Sequence, residues 1–329
     1  MNDKSSHYDL LKFFATILVV VAHSSRMYTG VGVIKPANAS FLLGHITQYI
    51  YSFHMPMFIA VSGMVYGLCI DDLNKYKNSI KFIKNKVIRL LVPYLFFGFF
   101  YVAPIMTGFR FTDLSYLRYC MHDIVFVKDA RHLWYVIVLF EIYIISMLFK
   151  PAIQGGTIKN SIVIATILLS IALVSFKFPI LFQISNLGYY LIFFYFGVLY
   201  NRYYEKANGV IKNYICIIIC LALTALVFQY SHVVIKIIKA ITGSLAFIGI
   251  TSYVNSSFLN VKIVNHLNKD GFGIYLFHPM IIYVLFYYFG DMDISPIILC
   301  LTIAIASYVL SAILTDAMRK FKLNILIGE

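Results

Sequence analysis

Charge is what this 329-residue chain has least of. Asp, Glu, Lys and Arg make up 12% of it, while apolar residues make up 61%. That charge share is about half of what a soluble domain carries. A soluble fold of this length could not bury so much apolar surface, whereas a bilayer can cover it. Acids are scarcer still, 14 against 27 bases, for a net charge of +13. In a soluble protein that balance would suggest nucleic acid. Here the bases fall between apolar runs and form no continuous stripe, so no nucleic-acid partner is expected and the bases fit loops lying on an anionic membrane. Cysteine is sparse: Cys69, Cys120, Cys216, Cys220 and Cys300 contain no CxxC pair. The four-residue step from Cys216 to Cys220 puts both on one helix face, which reads as packing and not as redox or metal chemistry. HExxH, GxSxG and a phosphate loop are missing, and no close set of His, Asp and Glu stands out. No catalytic metal and no permanently bound cofactor are therefore expected.

What the chain does have is long apolar sequence. A spanning helix takes roughly 20 mostly apolar residues, and ten such runs occur: 10–28, 46–68, 87–107, 133–149, 160–176, 183–200, 213–230, 234–254, 272–289 and 295–315. The expected fold is all-α, a polytopic helical bundle forming one transmembrane domain over residues 1–329. The polar start from Met1 to Asp9 leads into a run that is long and lacks a small-residue cleavage site, so it reads as a retained first span. Pro93, Pro104, Pro179 and Pro279 mark kinks or ends, and the long segment 108–132 is the candidate mobile loop. No internal repeat is evident. With the N-terminus inside, 18 of the 27 bases fall on the inner side. That bias puts both termini in the cytoplasm.

The first span carries polar groups that a lipid-facing helix would not. Lys12 and His23 are eleven residues apart, about three full turns, so they share a face about 16 Å apart along the axis. Asp9, Thr16 and Arg26 lie within roughly 60° of the same line. A charge at the bilayer centre costs about 2.5–3.5 kcal/mol, so this stripe should face the protein interior or a wet cavity. For Lys12 and Asp9 two readings fit: a polar function, or a lysine snorkelling to the interface and pairing with its neighbour. His23 is too deep to snorkel, and its place on the Lys12 face favours function. Glu141 is the only acid deep in a span. It is a functional candidate or a neutral, hydrogen-bonded packing residue. Trp134, with His132 and Arg131, sits at the outer edge of the fourth span, as part of an aromatic belt or as a platform for a sugar.

Several segments carry a family likeness, in order along the chain. They are Lys12 with His23; Phe53-His54-Met55-Pro56-Met57-Phe58 followed by Ser62-Gly63; Lys86-Val87-Ile88-Arg89; His132-Leu133-Trp134-Tyr135; and Gly273-Ile274-Tyr275-Leu276-Phe277-His278-Pro279. Together they resemble acyltransferase family 3, the membrane-bound O-acyltransferases of sugars and polysaccharides. The family usually has Arg where this chain has Lys12 and Lys86. Lysine keeps the charge but loses the bidentate fork. The resemblance implies acetyl-CoA or another acyl-CoA as co-substrate and a glycan or glycolipid of the bacterial surface as acceptor. His23, on the polar stripe, is the candidate general base, and Glu141, from its depth in a span, is a second catalytic candidate with no assigned role. Lys12, Lys86 and Arg89 would contact the donor, Asp9, His54 and His278 would support, and His132 and Trp134 would meet the acceptor. His54 should lie at a depth similar to that of His23. His278 should lie in the inner half, away from His23, in a donor-site, packing or catalytic role. The expected setting is the bacterial cytoplasmic membrane. A transporter or flippase of a lipid-linked glycan precursor would share the spans, the basic inner loops and Glu141.

Overall fold

The structure is a computed structural model that describes residues 3–154 and 156–329. Among the described residues there is no strand. In chain order the helices are α1 (Asp3–Ser25), α2 (Phe41–Tyr51), α3 (His54–Gly67), α4 (Ser79–Lys86), α5 (Val92–Phe97), α6 (Ala103–Gly108), α7 (Tyr116–Tyr119), α8 (Trp134–Leu148), α9 (Lys150–Gln154), α10 (Ile158–Val174), α11 (Ile184–Arg202), α12 (Tyr204–Ile211), α13 (Tyr214–Val227), α14 (Val233–Thr251), α15 (Lys262–Lys269), α16 (Gly271–Phe289) and α17 (Pro296–Lys320). Nine helical stretches among the described residues are long and apolar enough to cross a membrane. They coincide with nine of the ten expected runs. The remaining run, 213–230, is the second half of a pair, α12 and α13, bent by 72°. Lys212 and Asn213 break the helix there, and the Asn213 side chain caps α13 by accepting from the amide of Ile215. The chain is an all-α, multi-pass membrane protein.

Two compact units divide it: residues 1–58 with 205–323, and residues 59–204 with 324–329. In the first unit α1 packs along α16 and α17. The register is set by small residues. A Cβ on Gly271 would touch Thr16 Oγ1 at 3.4 Å, and one on Gly273 would lie 2.2 Å from Thr315 Oγ1. So α16 begins beside the middle of α1 and lies tightly on α17. The earlier turns of α1 are covered by Ser256–Asn260 and α15, where Leu10, Phe13, Leu259 and Val264 are buried together.

In the second unit α3 and α11 meet at backbone distance. A Cβ on Gly197 would lie 1.9 Å from the Ala60 carbonyl oxygen, and one on Gly63 would lie 2.0 Å from that of Phe194. Such close approach is how helices gain packing where lipid supplies no hydrophobic drive between them. The span Ser79–Gly108 runs through both Pro93 and Pro104. Each proline follows a stretch of wider turn, Val87–Leu91 and Gly98–Val102. There the amide of Val92 bonds the carbonyl of Val87, five residues back. This widening absorbs the missing proline N–H without breaking the span. Pro179 lies in a turn ahead of α11, and Pro279 lies inside α16.

The segment 108–132 differs from the loop expected of it. It holds α7 and a further helical turn, Cys120–Val125, with Tyr119, Cys120, Asp123 and Ile124 buried. The Tyr94 hydroxyl donates to the Ile124 carbonyl at 2.6 Å and that of Tyr116 to the Phe99 carbonyl at 2.9 Å. Hydroxyl-bearing rings tie the segment down, a link between distant positions that composition does not show.

Candidate functional site

The first unit assembles a row of rings. His23, near the end of α1, lies ring to ring with His278 of α16, centroids 5.1 Å apart at 83°. On its other side is Tyr51, the last residue of α2, at 5.9 Å. Tyr51 in turn lies 4.6 Å from His54, the first residue of α3. The Arg26 guanidinium sits 5.4 Å from the Tyr51 ring centre, a cation–π distance. His54 and His278 are buried, 1% and 0% exposed. Each places Nδ1 against the carbonyl four residues back, Ile50 at 3.0 Å and Ile274 at 2.9 Å. A carbonyl only accepts, so Nδ1 carries the proton in both and Nε2 is left with the lone pair.

His278 was expected deep in the inner half, away from His23; it lies against His23 instead. The physical reason is the register of α16. Its first residue stands beside Thr16, and seven residues further along each helix bring His278 level with His23. An α16 starting level with the first turns of α1 was expected, but α15 and the turn before it cover those turns instead. His54 does lie close to His23, through Tyr51. Tyr51 itself went unnoticed; its spacing of three before His54 was the available signal. Lys12 is exposed and its ammonium lies 2.6 Å from the Asp9 carboxylate.

A second polar cluster was not foreseen. His266, Asp270 and Asp316 come together, ligand atoms within 4.8 Å of one another, so a close His/Asp set exists after all. The sequence step from His266 to Asp270 is one helical turn, but Asp316 joins only because α17 packs on α16. Arg319 donates to Asp270 and lies 3.1 Å from Asp316. Its guanidinium supplies positive charge beside the two carboxylates.

The second unit holds the other named residues. The Lys86 ammonium lies 3.6 Å from the Tyr143 ring centre, with Phe82 at 5.4 Å and Tyr76 at 6.0 Å. Arg89 follows in the widened turn before Pro93. Glu141 is half-buried, and its Oε2 is buried with no hydrogen-bond partner among the described residues. His132 is buried in the turn before α8, and Trp134 opens that helix with its ring 5.2 Å from Tyr190. The approach is backbone-strained: Val127, Arg131, Phe182 and Gln183 all have left-handed φ. Gln183 Nε2 holds two of these turns together by donating to the Val127 carbonyl at 2.6 Å.

A multi-pass helical membrane protein with a histidine row is a class, and comparison with known proteins narrows it. The profile of acyltransferase family 3, described as an Acyltransferase domain, matches residues 6–316. The chain belongs to this family. Two curated relatives are each a "Probable poly-beta-1,6-N-acetyl-D-glucosamine export protein" of Staphylococcus aureus, from strains MRSA252 and MSSA476. They are 24% and 25% identical to it over 305 residues, covering 84% of this chain and 82% of theirs. No solved structure matches.

Proposed function

We propose that the chain is a membrane O-acyltransferase that moves an acetyl group from acetyl-CoA to a hydroxyl of a bacterial cell-surface glycan. The observation that carries this reading is the half-buried His23 in its row of buried histidines, in a chain of an acyltransferase family. His23 acts as general base. It takes the proton of the acceptor hydroxyl as that oxygen attacks the thioester carbon, and the proton then leaves on the CoA sulfur. A neutral imidazole suits this work because its ordinary pKa lies near operating pH. Lys12, Lys86 and Arg89 are the donor-side cations, suited to phosphate as point charges and hydrogen-bond donors. His132 and Trp134, with Tyr190 beside Trp134, form the acceptor side. The glycan class rests on the relatives, whose printed name concerns a β-1,6-linked N-acetylglucosamine polymer. The setting is the bacterial cytoplasmic membrane, with both termini inside.

The same printed name favours a second reading, export of a glycan or its lipid-linked precursor. One experiment separates the two: purified wild-type and His23→Ala protein, labelled acetyl-CoA and a panel of bacterial glycans. Transfer by wild type, lost in the folded variant, supports the enzyme. Well-folded wild type that neither binds nor turns over acyl-CoA supports the exporter.

A further inference from the structure

The carboxylate oxygens of the His/Asp cluster fall into two sets. Arg319 Nη1 takes one oxygen from each acid, Asp270 Oδ1 and, at 3.1 Å, Asp316 Oδ1. The other oxygen of each acid turns to His266. Its Nε2 lies 2.8 Å from Asp316 Oδ2 and 3.4 Å from Asp270 Oδ2. We propose that His266 Nε2, Asp270 Oδ2 and Asp316 Oδ2 bind a first-row divalent cation of the Zn²⁺ class, which clamps α15 to α16 and α17.

Three observations build this. The first is an oxygen that lacks a partner. Asp270 is 0% exposed, and its Oδ2 is buried with no hydrogen bond to it among the described residues. Water does not reach that oxygen, and leaving such an acceptor unmet is costly. A cation at the cluster meets it. The second is spacing. Metal bonds of about 2.0–2.1 Å in a tetrahedron put donor atoms about 3.4 Å apart. The His266–Asp270 pair already stands at 3.4 Å, and all three ligand atoms lie within 4.8 Å of one another. The His266–Asp316 pair has to open by roughly half an ångström. Both of those side chains are half-exposed and can swing, while Asp270 is the fixed point. The third is Arg319. Ligating carboxylates are held in place by hydrogen bonds from an outer shell, and Arg319 gives one to each acid through the oxygen that faces away from His266.

The donor set selects the ion. Mg²⁺ and Ca²⁺ take oxygen ligands, whereas an imidazole beside carboxylates suits Zn²⁺ and its transition-metal neighbours. Three protein ligands leave a fourth position for water. The ion takes the place of the proton that His266 Nε2 otherwise shares with Asp316 Oδ2. Its ligands come from α15, from the residue joining α15 to α16, and from α17. Because α15 helps cover the first turns of α1, the clamp also steadies that packing. The site does not depend on acyl transfer.

The test uses full-length protein in detergent, freed of metal with EDTA and carrying no polyhistidine tag. It is titrated with ZnCl₂, bound metal is counted by mass spectrometry after desalting, and thermal unfolding is followed. Wild type should bind one Zn²⁺ per chain and unfold at a higher temperature with it. His266→Ala and Asp316→Asn change half-exposed side chains and leave the Asp270–Arg319 pair intact. Each, checked for folding by elution profile, should weaken binding about 100-fold and lose the thermal shift. His232→Ala, at another exposed histidine, should bind as wild type does. Co²⁺ in wild type should give visible absorption that His266→Ala lacks. Less than one Zn²⁺ per folded wild-type chain overturns the proposal. So does wild-type affinity in both His266→Ala and Asp316→Asn, which marks adventitious binding elsewhere.

Discussion

Asp270 is the most tightly enclosed carboxylate of the first unit, with 0% exposure, and Arg319 is its counter-charge. Removing one partner of such a pair leaves the other buried and uncompensated, which costs about 3 kcal/mol. Arg319→Ala should therefore lower the thermal unfolding temperature in detergent clearly, and Asp270→Asn in the same chain should recover part of the loss. Burial pushes the Asp270 carboxyl above its ordinary 3.8, against the pull of Arg319 and His266. A carboxyl with a raised folded pKa binds more protons folded than unfolded. The part of stability it controls therefore falls as pH rises from the ordinary value through the raised one. Asp270→Asn should flatten that slope, measured as unfolding temperature from about pH 4 upward. At the candidate site, His23→Ala should cut transfer by about 10²–10⁴. His23 stood out in the sequence as a candidate because helical periodicity puts it on a line with other polar groups. Asp270 did not, because its burial depends on a helix that follows some fifty residues later.

At the scale of elements, close helix contacts decide where the chemistry sits. Gly273 lies between the start of α16 and His278, against Thr315 of α17. Gly273→Ala would force these helices apart and shift His278 relative to His23. The expected cost is about 1–3 kcal/mol of stability, with a fall in transfer rate that Thr315→Ala partly reverses. Gly197 is less forgiving, because what its Cβ would strike is the Ala60 carbonyl, which is backbone and cannot rotate away. Gly197→Ala should reduce the yield of folded protein sharply, read by size-exclusion profile. The spans themselves were legible, since twenty apolar residues have few other fates. The register of α16 was not, because it depends on α15 packing on the first turns of α1. Nor was the ordered segment 108–132, whose hydroxyl-to-backbone bonds join residues up to thirty apart.

At the scale of the whole molecule, the question is how many times the chain crosses the membrane. Nine straight spans would leave the termini on opposite sides, whereas counting the bent pair α12 and α13 as a crossing gives ten and puts both on one side. The expected excess of bases on one side was counted over ten runs with the N-terminus inside. Fluorescent-protein and alkaline-phosphatase fusions at the C-terminus decide between them: fluorescence without phosphatase activity is the expected result, and the reverse pattern means nine crossings. The family match over residues 6–316 runs through both compact units, so neither unit by itself is the family's whole domain.

By itself the sequence determined that this protein is helical and crosses a membrane many times, and it singled out His23 on the first span as a candidate. These follow from composition and helical period, which are properties of neighbouring residues. Only the tertiary structure decided that His278 meets His23, that Tyr51 and His54 extend the row, and that Arg319 neutralises a His/Asp cluster. Each of those depends on which helices pack and at what register. That is set where glycines of one helix meet small hydroxyl residues of another helix far away in the sequence, and no local pattern records it.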